Sequence, residues 1–127
     1  MSRQIVTSPE APKAIGPYSQ AVRCGEMLYC SGQTPIDPTV GKLVEGDISV
    51  QTEQVFQNLK NVLHAAGLTF DQVVKVNVYL TDMANFAAMN EVYGKQFNAP
   101  YPARTTVAVA ALPLKALVEI EMIALYQ

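Results

Sequence analysis

The chain has 127 residues, a formal net charge of −2 and a sequence pI of about 5.3. Half of its residues are hydrophobic and 16% are charged, which excludes intrinsic disorder and fits one domain spanning 1–127, since domains commonly run ~100–150 residues. Lys and Arg are scattered without a run, so nucleic acid is not an expected partner, and no apolar stretch approaches the ~20 residues of a membrane helix.

The first six residues, Met1 to Val6, form neither the apolar run of a signal peptide nor an Arg-rich transit segment. The expected location is the cytosol, or the mitochondrial matrix where a transit segment has been removed. Gln4 to Thr7 reads as a short strand, followed by a loop punctuated by Pro9, Pro12 and Gly16-Pro17. Ser19 to Cys24 and Met27 to Ser31 read as a hairpin around Gly25-Glu26. In that register Cys24 faces Met27 and Cys30 faces Ala21. The two thiols are not opposite one another, and a disulfide is not expected.

Residues 34–46, with Pro35, Pro38, Gly41 and Gly46, read as a loop. Ile48, Val55, Phe56, Leu59, Val62, Leu63 and Ala66 recur at three- and four-residue steps, which predicts a helix over 48–66. Asp47 or Ser49 can cap its start, and Gly67 can end it. Val74, Val76, Val78 and Leu80 alternate with polar residues and predict a half-buried strand.

Asp82 is expected to cap a second helix over 83–97, with Phe86, Met89, Tyr93 and Phe97 on one face and Pro100 and Pro102 beyond its end. Thr105 to Ala110 predicts a strand, Leu112 to Lys115 a turn, and Leu117 to Tyr126 a final strand. That last strand is apolar on both faces, as a central strand covered on both sides would be. The pattern β-β-β-α-β-α-β-β is an α+β domain. Two helices cover one face of such a sheet well, and a second copy of the chain is the simplest cover for the other. The rather apolar composition of so short a chain points the same way.

Most familiar catalytic equipment is missing. The one histidine, His64, falls within the first helix beside its apolar stripe, where a surface role is expected. No phosphate-cradling Gly-rich loop, dinucleotide fingerprint or metal-ligand spacing occurs, so neither cofactor nor metal is expected. Arg104 stands out at the start of a strand of small and apolar residues. Its planar fork of donors suits a carboxylate. A salt bridge to Glu119, Glu121 or the chain terminus accounts for it equally well. Glu119 and Glu121 share a face with Ile123 and Leu125, and a carboxylate buried there would have a raised pKa and serve as a base near neutral pH. Position alone does not choose between them.

The stretch Pro102-Ala103-Arg104-Thr105-Thr106-Val107-Ala108-Val109-Ala110-Ala111-Leu112-Pro113, followed by Val118-Glu119-Ile120-Glu121-Met122, resembles the C-terminal signature of the RidA/YjgF family. Ala14-Ile15-Gly16-Pro17-Tyr18-Ser19-Gln20, Ser31-Gly32-Gln33-Thr34-Pro35 and Phe86 to Tyr93 resemble its other motifs, in the family's order over nearly the whole chain.

The resemblance implies a chorismate-mutase-like fold, with a six-stranded mixed sheet, two helices on one face, and a homotrimer with pockets between subunits. It implies a cofactor-free imine deaminase that hydrolyses 2-aminoacrylate and 2-iminobutanoate, released by pyridoxal-phosphate enzymes, to 2-oxo acids and ammonia. Arg104 would bind the substrate carboxylate and Glu119 would activate water. Tyr18 would close the pocket, backbone groups near Ser31 and Gly32 would contact the imine end, and Asn90 would line the site. Glu121 would be mainly structural. Many members carry Cys where this chain has Thr106, which would donate a hydrogen bond beside the substrate instead, and some carry Arg at the position of Ala111. The competing readings are a non-catalytic small-carboxylate binder or chaperone-like protein, and a translation inhibitor or endoribonuclease.

Overall fold

The computed structural model describes residues 2–126. In chain order it has β1 (Arg3–Val6), β2 (Ala21–Cys24), β3 (Met27–Gln33), β4 (Ile36–Asp37), β5 (Lys42–Leu43), α1 (Ile48–Ala65), β6 (Val73–Leu80), α2 (Phe86–Gly94), β7 (Ala103–Ala108) and β8 (Val118–Leu125). Six strands form one sheet in the order β1-β2-β3-β8-β6-β7. β6 and β7 are parallel and every other pairing is antiparallel, so the sheet is mixed. The last strand therefore lies inside the sheet, as its two-sided apolar pattern requires.

Both helices pack on one face. Val55, Leu59, Val62 and Leu63 of α1 and Met89 of α2 are fully buried against Val76, Val78 and Leu80 of β6 and Val118, Ile120 and Met122 of β8. Burying each such side chain is worth about 1.5–3 kcal/mol. Phe56 meets Phe70, Tyr93 and Phe97 edge-on at 5.8, 5.8 and 6.0 Å between centroids. Among the described residues the opposite face carries no helix. Tyr29 and Val107 stand on it 48% and 42% exposed, with half-buried Glu119, Glu121, Ile123 and Leu125 between them.

Asp47 rather than Ser49 caps α1, accepting the Val50 N–H at 3.1 Å, and Gly67 takes the left-handed conformation (φ 78°) just past its end. The hairpin register places Ala21 opposite Cys30 and Cys24 opposite Met27, so the thiols do not pair.

Some boundaries differ from the sequence reading. The 34–46 loop contains the short β4–β5 ribbon. The β6–β8 register shifts between Val73 and Lys75, so Val73 takes the core position and Val74 is exposed. Asp82 caps a single 3-10 turn over Met83–Asn85, accepting the Ala84 N–H at 2.9 Å, and the α-helix proper stops at Gly94. The seventh strand starts directly after Pro102 and ends at Ala108 rather than Ala110.

Three buried amides hold the loops that matter for the site. Asn58 of α1 donates to the carbonyls of Thr34 and Ile36. Gln51 accepts the Leu117 N–H at the start of β8. Gln20 accepts the Ser8 N–H and donates to the carbonyls of Ser8 and Pro12, pinning the N-terminal loop.

Candidate active site

The residues singled out from the sequence fall into two groups, and the sheet separates them. The first group lies on the helix-free face around a cavity of about 720 Å³. Tyr18 and Ile15 come from the N-terminal loop, Ser31 and Gly32 from β3, Leu114 from the turn before β8, and Glu119 from β8 itself. The register of β3 on β8 breaks between Cys30 and Gln33, so Ser31 and Gly32 lie in an irregularity of the ladder, a feature frequent beside active sites. The Ser31 hydroxyl donates to the Ser19 carbonyl at 2.6 Å, so its proton is already committed. Leu114 and Lys115 adopt left-handed backbone conformations (φ 59° and 61°), strain of a kind that concentrates at functional loops.

Glu119 lies directly over Gly32. A Cβ on residue 32 would stand 3.0 Å from Glu119 Cδ and 3.1 Å from Cγ, and would meet Oε2 more closely still. Glycine is therefore what lets the carboxylate rest on the strand backbone. Burial, and then the charge of Glu121, push the Glu119 carboxyl above the usual glutamate range. Its neighbour is differently placed: Glu121 Oε2 accepts from Asn77 Nδ2 at 2.9 Å and from the Tyr79 hydroxyl at 3.1 Å.

The second group lies at the other side of the sheet, at its edge. Arg104 and Thr106 on β7 pair with Val76 and Val78, whose side chains face the helices. Arg104 Nη1 donates to Asn90 Oδ1 at 2.6 Å. The guanidinium lies 4.5 Å from the Tyr93 ring centroid and 5.5 Å from that of Phe86. A cavity of about 470 Å³ opens beside it, lined also by Tyr101 and Pro102. The Thr106 and Tyr93 hydroxyls are buried without a hydrogen-bond partner among the described residues.

Arg104 is thus neither loose in solvent nor bridged to Glu119 or Glu121. The chain terminus, the third partner considered for it, lies outside the described residues. Glu119 pairs across the ladder with Tyr79 and Arg104 with Val76. Two strand spacings and three residues separate them, about 14 Å between Cα atoms on ~4.8 Å per strand and ~3.4 Å per residue, and they point to opposite faces. Within one chain they cannot grip the same small molecule.

His64 is on the exposed side of α1. Burial pushes the Cys30 thiol up to about 12, which leaves it an inert core side chain. Among the described residues no group of three or more His, Cys, Asp or Glu could hold a metal ion. The sequence reading missed the aromatic shelf under Arg104. Phe86, Asn90 and Tyr93 fall at helical spacing, and the two aromatics fit the core stripe of α2 equally well by spacing alone. It also missed the donors to Glu121, because Asn77 and Tyr79 occupy the polar positions of an alternating strand.

This arrangement, a half-buried carboxylate over a glycine and an edge arginine on an aromatic shelf, occurs in a chain whose relatives are well defined. The family model described as Endoribonuclease L-PSP matches residues 8–126, and the chain belongs to that family, RidA/YjgF. It is 51% identical over 122 residues to a RutC family protein of Pyrococcus horikoshii, covering 96% of this chain and 97% of the relative. It is 46% identical over 122 residues to the 2-iminobutanoate/2-iminopropanoate deaminase of Mus musculus, covering 96% and 90%. The crystal structure of YEO7_yeast superposes with a TM-score of 0.95 at 47% identity, covering 99% of this chain and 100% of that one.

Proposed function

We propose that the protein is an imine deaminase that hydrolyses small 2-imino acids to 2-oxo acids and ammonia, in pockets completed between the subunits of a homotrimer. The observation that carries this reading is the Glu119 carboxylate, resting on Gly32 at the floor of a cavity with its pKa raised. A second copy of the chain, docked on the helix-free face, would bring its own Arg104 toward that cavity and cover the half-buried Ile123 and Leu125. The mouse relative's name supports the reaction class.

The chemistry follows from the residues. Arg104 engages the substrate carboxylate bidentately, and Tyr93, Phe86 and Asn90 hold its plane in place. Glu119 takes a proton from a water molecule as the water oxygen bonds to C2 of the imine. With the imine in its protonated form, the C=N electron pair moves to nitrogen, which becomes an amine on the tetrahedral adduct. Glu119 returns its proton to that nitrogen and takes the hydroxyl proton as the C–N bond breaks, so ammonia leaves and the C2 carbonyl forms. 2-Aminoacrylate enters the same sequence after tautomerising to its imine. Thr106, in the position of a family cysteine, donates from its otherwise unpartnered hydroxyl, and Tyr18 closes the mouth of the cavity. The imines of serine and threonine dehydration, released by pyridoxal-phosphate enzymes, are the substrates proposed.

The test is 2-oxobutanoate formation coupled to a threonine dehydratase. Arg104→Ala should abolish acceleration while the protein keeps its solution mass and fold. A wild-type rate in that variant would remove the carboxylate clamp and the reading with it. The family description also admits a ribonuclease. The net charge of −2 and the absence of a basic run weigh against it, and RNA affinity that falls steeply with salt would favour it.

A further inference from the structure

Resting on the deaminase reading above, we propose that Glu121 is a positioning residue of the reaction: held by Asn77 and Tyr79 on the same face as Glu119, it sets the pH range in which Glu119 works as the base. This departs from the mainly structural role the family resemblance implies for it.

The two carboxylates stand two residues apart on the same face of β8, about 7 Å along the strand, and both are half-buried. Their surroundings differ sharply. Glu121 accepts two hydrogen bonds on Oε2, from Asn77 Nδ2 at 2.9 Å and the Tyr79 hydroxyl at 3.1 Å. Both donors are neutral, so they hold the carboxylate in place without setting a countercharge beside it. Glu119 accepts no hydrogen bond from the described residues and lies instead over Gly32.

Tyr79 links the pair. It sits across the ladder from Glu119, yet its hydroxyl reaches Glu121. Burial and then the Glu121 charge push that phenol above its ordinary value, so it remains a donor throughout the working range.

Glu119, half-buried and pushed up by burial and then by the Glu121 charge, is the member of the pair placed to exchange a proton with a molecule in the cavity. Of the remaining groups on this face, Lys13 and Tyr18 line the same cavity, Tyr29 on β3 pairs with Ile123 two residues beyond Glu121, and in the assembly proposed above the Arg104 of a second copy adds the same positive charge to wild type and variant. Lys13 is exposed at the rim, and its charge opposes that of Glu121 through solvent. Lys75 on β6 pairs with Ile123 and donates to Thr105 Oγ1 at 2.9 Å, toward the far end of β8.

The sign follows. A fixed negative charge beside Glu119 disfavours its ionised form and makes it the stronger base once ionised. Glu121→Gln keeps the shape and an acceptor oxygen but removes the charge. The experiment has two readouts on intact wild-type protein and Glu121→Gln. One is kcat/KM against pH in the coupled assay. The other is the 13C titration of the Glu119 carboxyl, assigned by its loss in Glu119→Gln. In Glu121→Gln the acidic limb and the carboxyl titration should both move to lower pH, and the alkaline plateau should fall by at most about tenfold.

Tyr79→Phe, which loosens the clamp, should move both in the same direction by less, and it serves if Glu121→Gln does not fold. A purely structural Glu121 would lower thermal stability and leave both titrations where they are. Unmoved titrations in active protein overturn the proposal for Glu121 alone. Absence of turnover by the wild-type protein overturns the deaminase reading, and with it the role of Glu121 in the reaction.

Discussion

Replacing Gly32 with alanine should remove the base from its place while leaving the fold nearly intact. The new methyl would stand 3.0 Å from Glu119 Cδ and 3.1 Å from Cγ, with Oε2 closer again. What it meets is the end of a flexible side chain, not backbone, so Glu119 swings aside by rotating. Gly32 does not use a left-handed backbone, and alanine adds no strain there. An off-rotamer side chain costs about 0.5–1.5 kcal/mol. In a domain of this size that lowers Tm by about 2–6 °C. Loss of an aligned general base is worth about 10²–10⁴-fold in rate. Gly32→Ala should therefore melt a few degrees early and lose at least about 10² in kcat in the coupled deaminase assay. On a Glu119→Gln background the same change should reduce the rate no further, because the two act on one group. A folded Gly32→Ala protein with wild-type turnover would refute the placement of Glu119 as the base.

Glu119→Gln should stabilise the protein at pH 8. The Glu119 carboxyl is pushed up by burial and then by Glu121, so the folded chain holds that proton more tightly than the unfolded one. Its charge then opposes folding above the raised value, and the penalty fades as pH falls toward 4.5, the ordinary glutamate value. Thermal melts of both proteins from pH 8 to pH 4 should show the gap closing, and a constant gap would contradict the assignment. Tyr93→Phe keeps the ring under Arg104 and removes a hydroxyl that has no partner among the described residues, so stability and KM should hold or improve. Tyr93→Leu loses the cation–π contact and should raise KM by about 2- to 30-fold. Equal KM values for the two variants in steady-state kinetics would show that the ring does not orient the guanidinium.

Much of the fold could be read from residue patterns. The stripe from Ile48 to Leu63 marked α1, and the two-sided apolar pattern of 118–125 marked an interior strand. Face assignments depended on pairing, which no local pattern shows. β7 is built from Ala, Thr and Val with one Arg, a composition too uniform to reveal which residues face the helices. Only its parallel register on β6, Arg104 beside Val76, puts the arginine on the face opposite Glu119. The register shift at Val73 likewise turned Val74 outward against a clean alternation. Family resemblance picked out Arg104, Glu119 and Gly32 as residue types in sequence. It did not reveal that Gly32 is the seat of Glu119, or that Phe86, Asn90 and Tyr93 cradle Arg104. Those relations exist only once the sheet and α2 are assembled.

Mixing two dead variants tests most directly whether the two faces of neighbouring chains build one pocket. Arg104→Ala retains Glu119, and Glu119→Gln retains Arg104. If each pocket draws its arginine and its carboxylate from different chains, random reassembly of equal amounts leaves about a quarter of the pockets intact. Activity in the coupled assay should rise from near zero in either parent to about a quarter of wild type. A mixture that co-assembles yet stays as inactive as its parents would contradict a pocket shared across the subunit boundary.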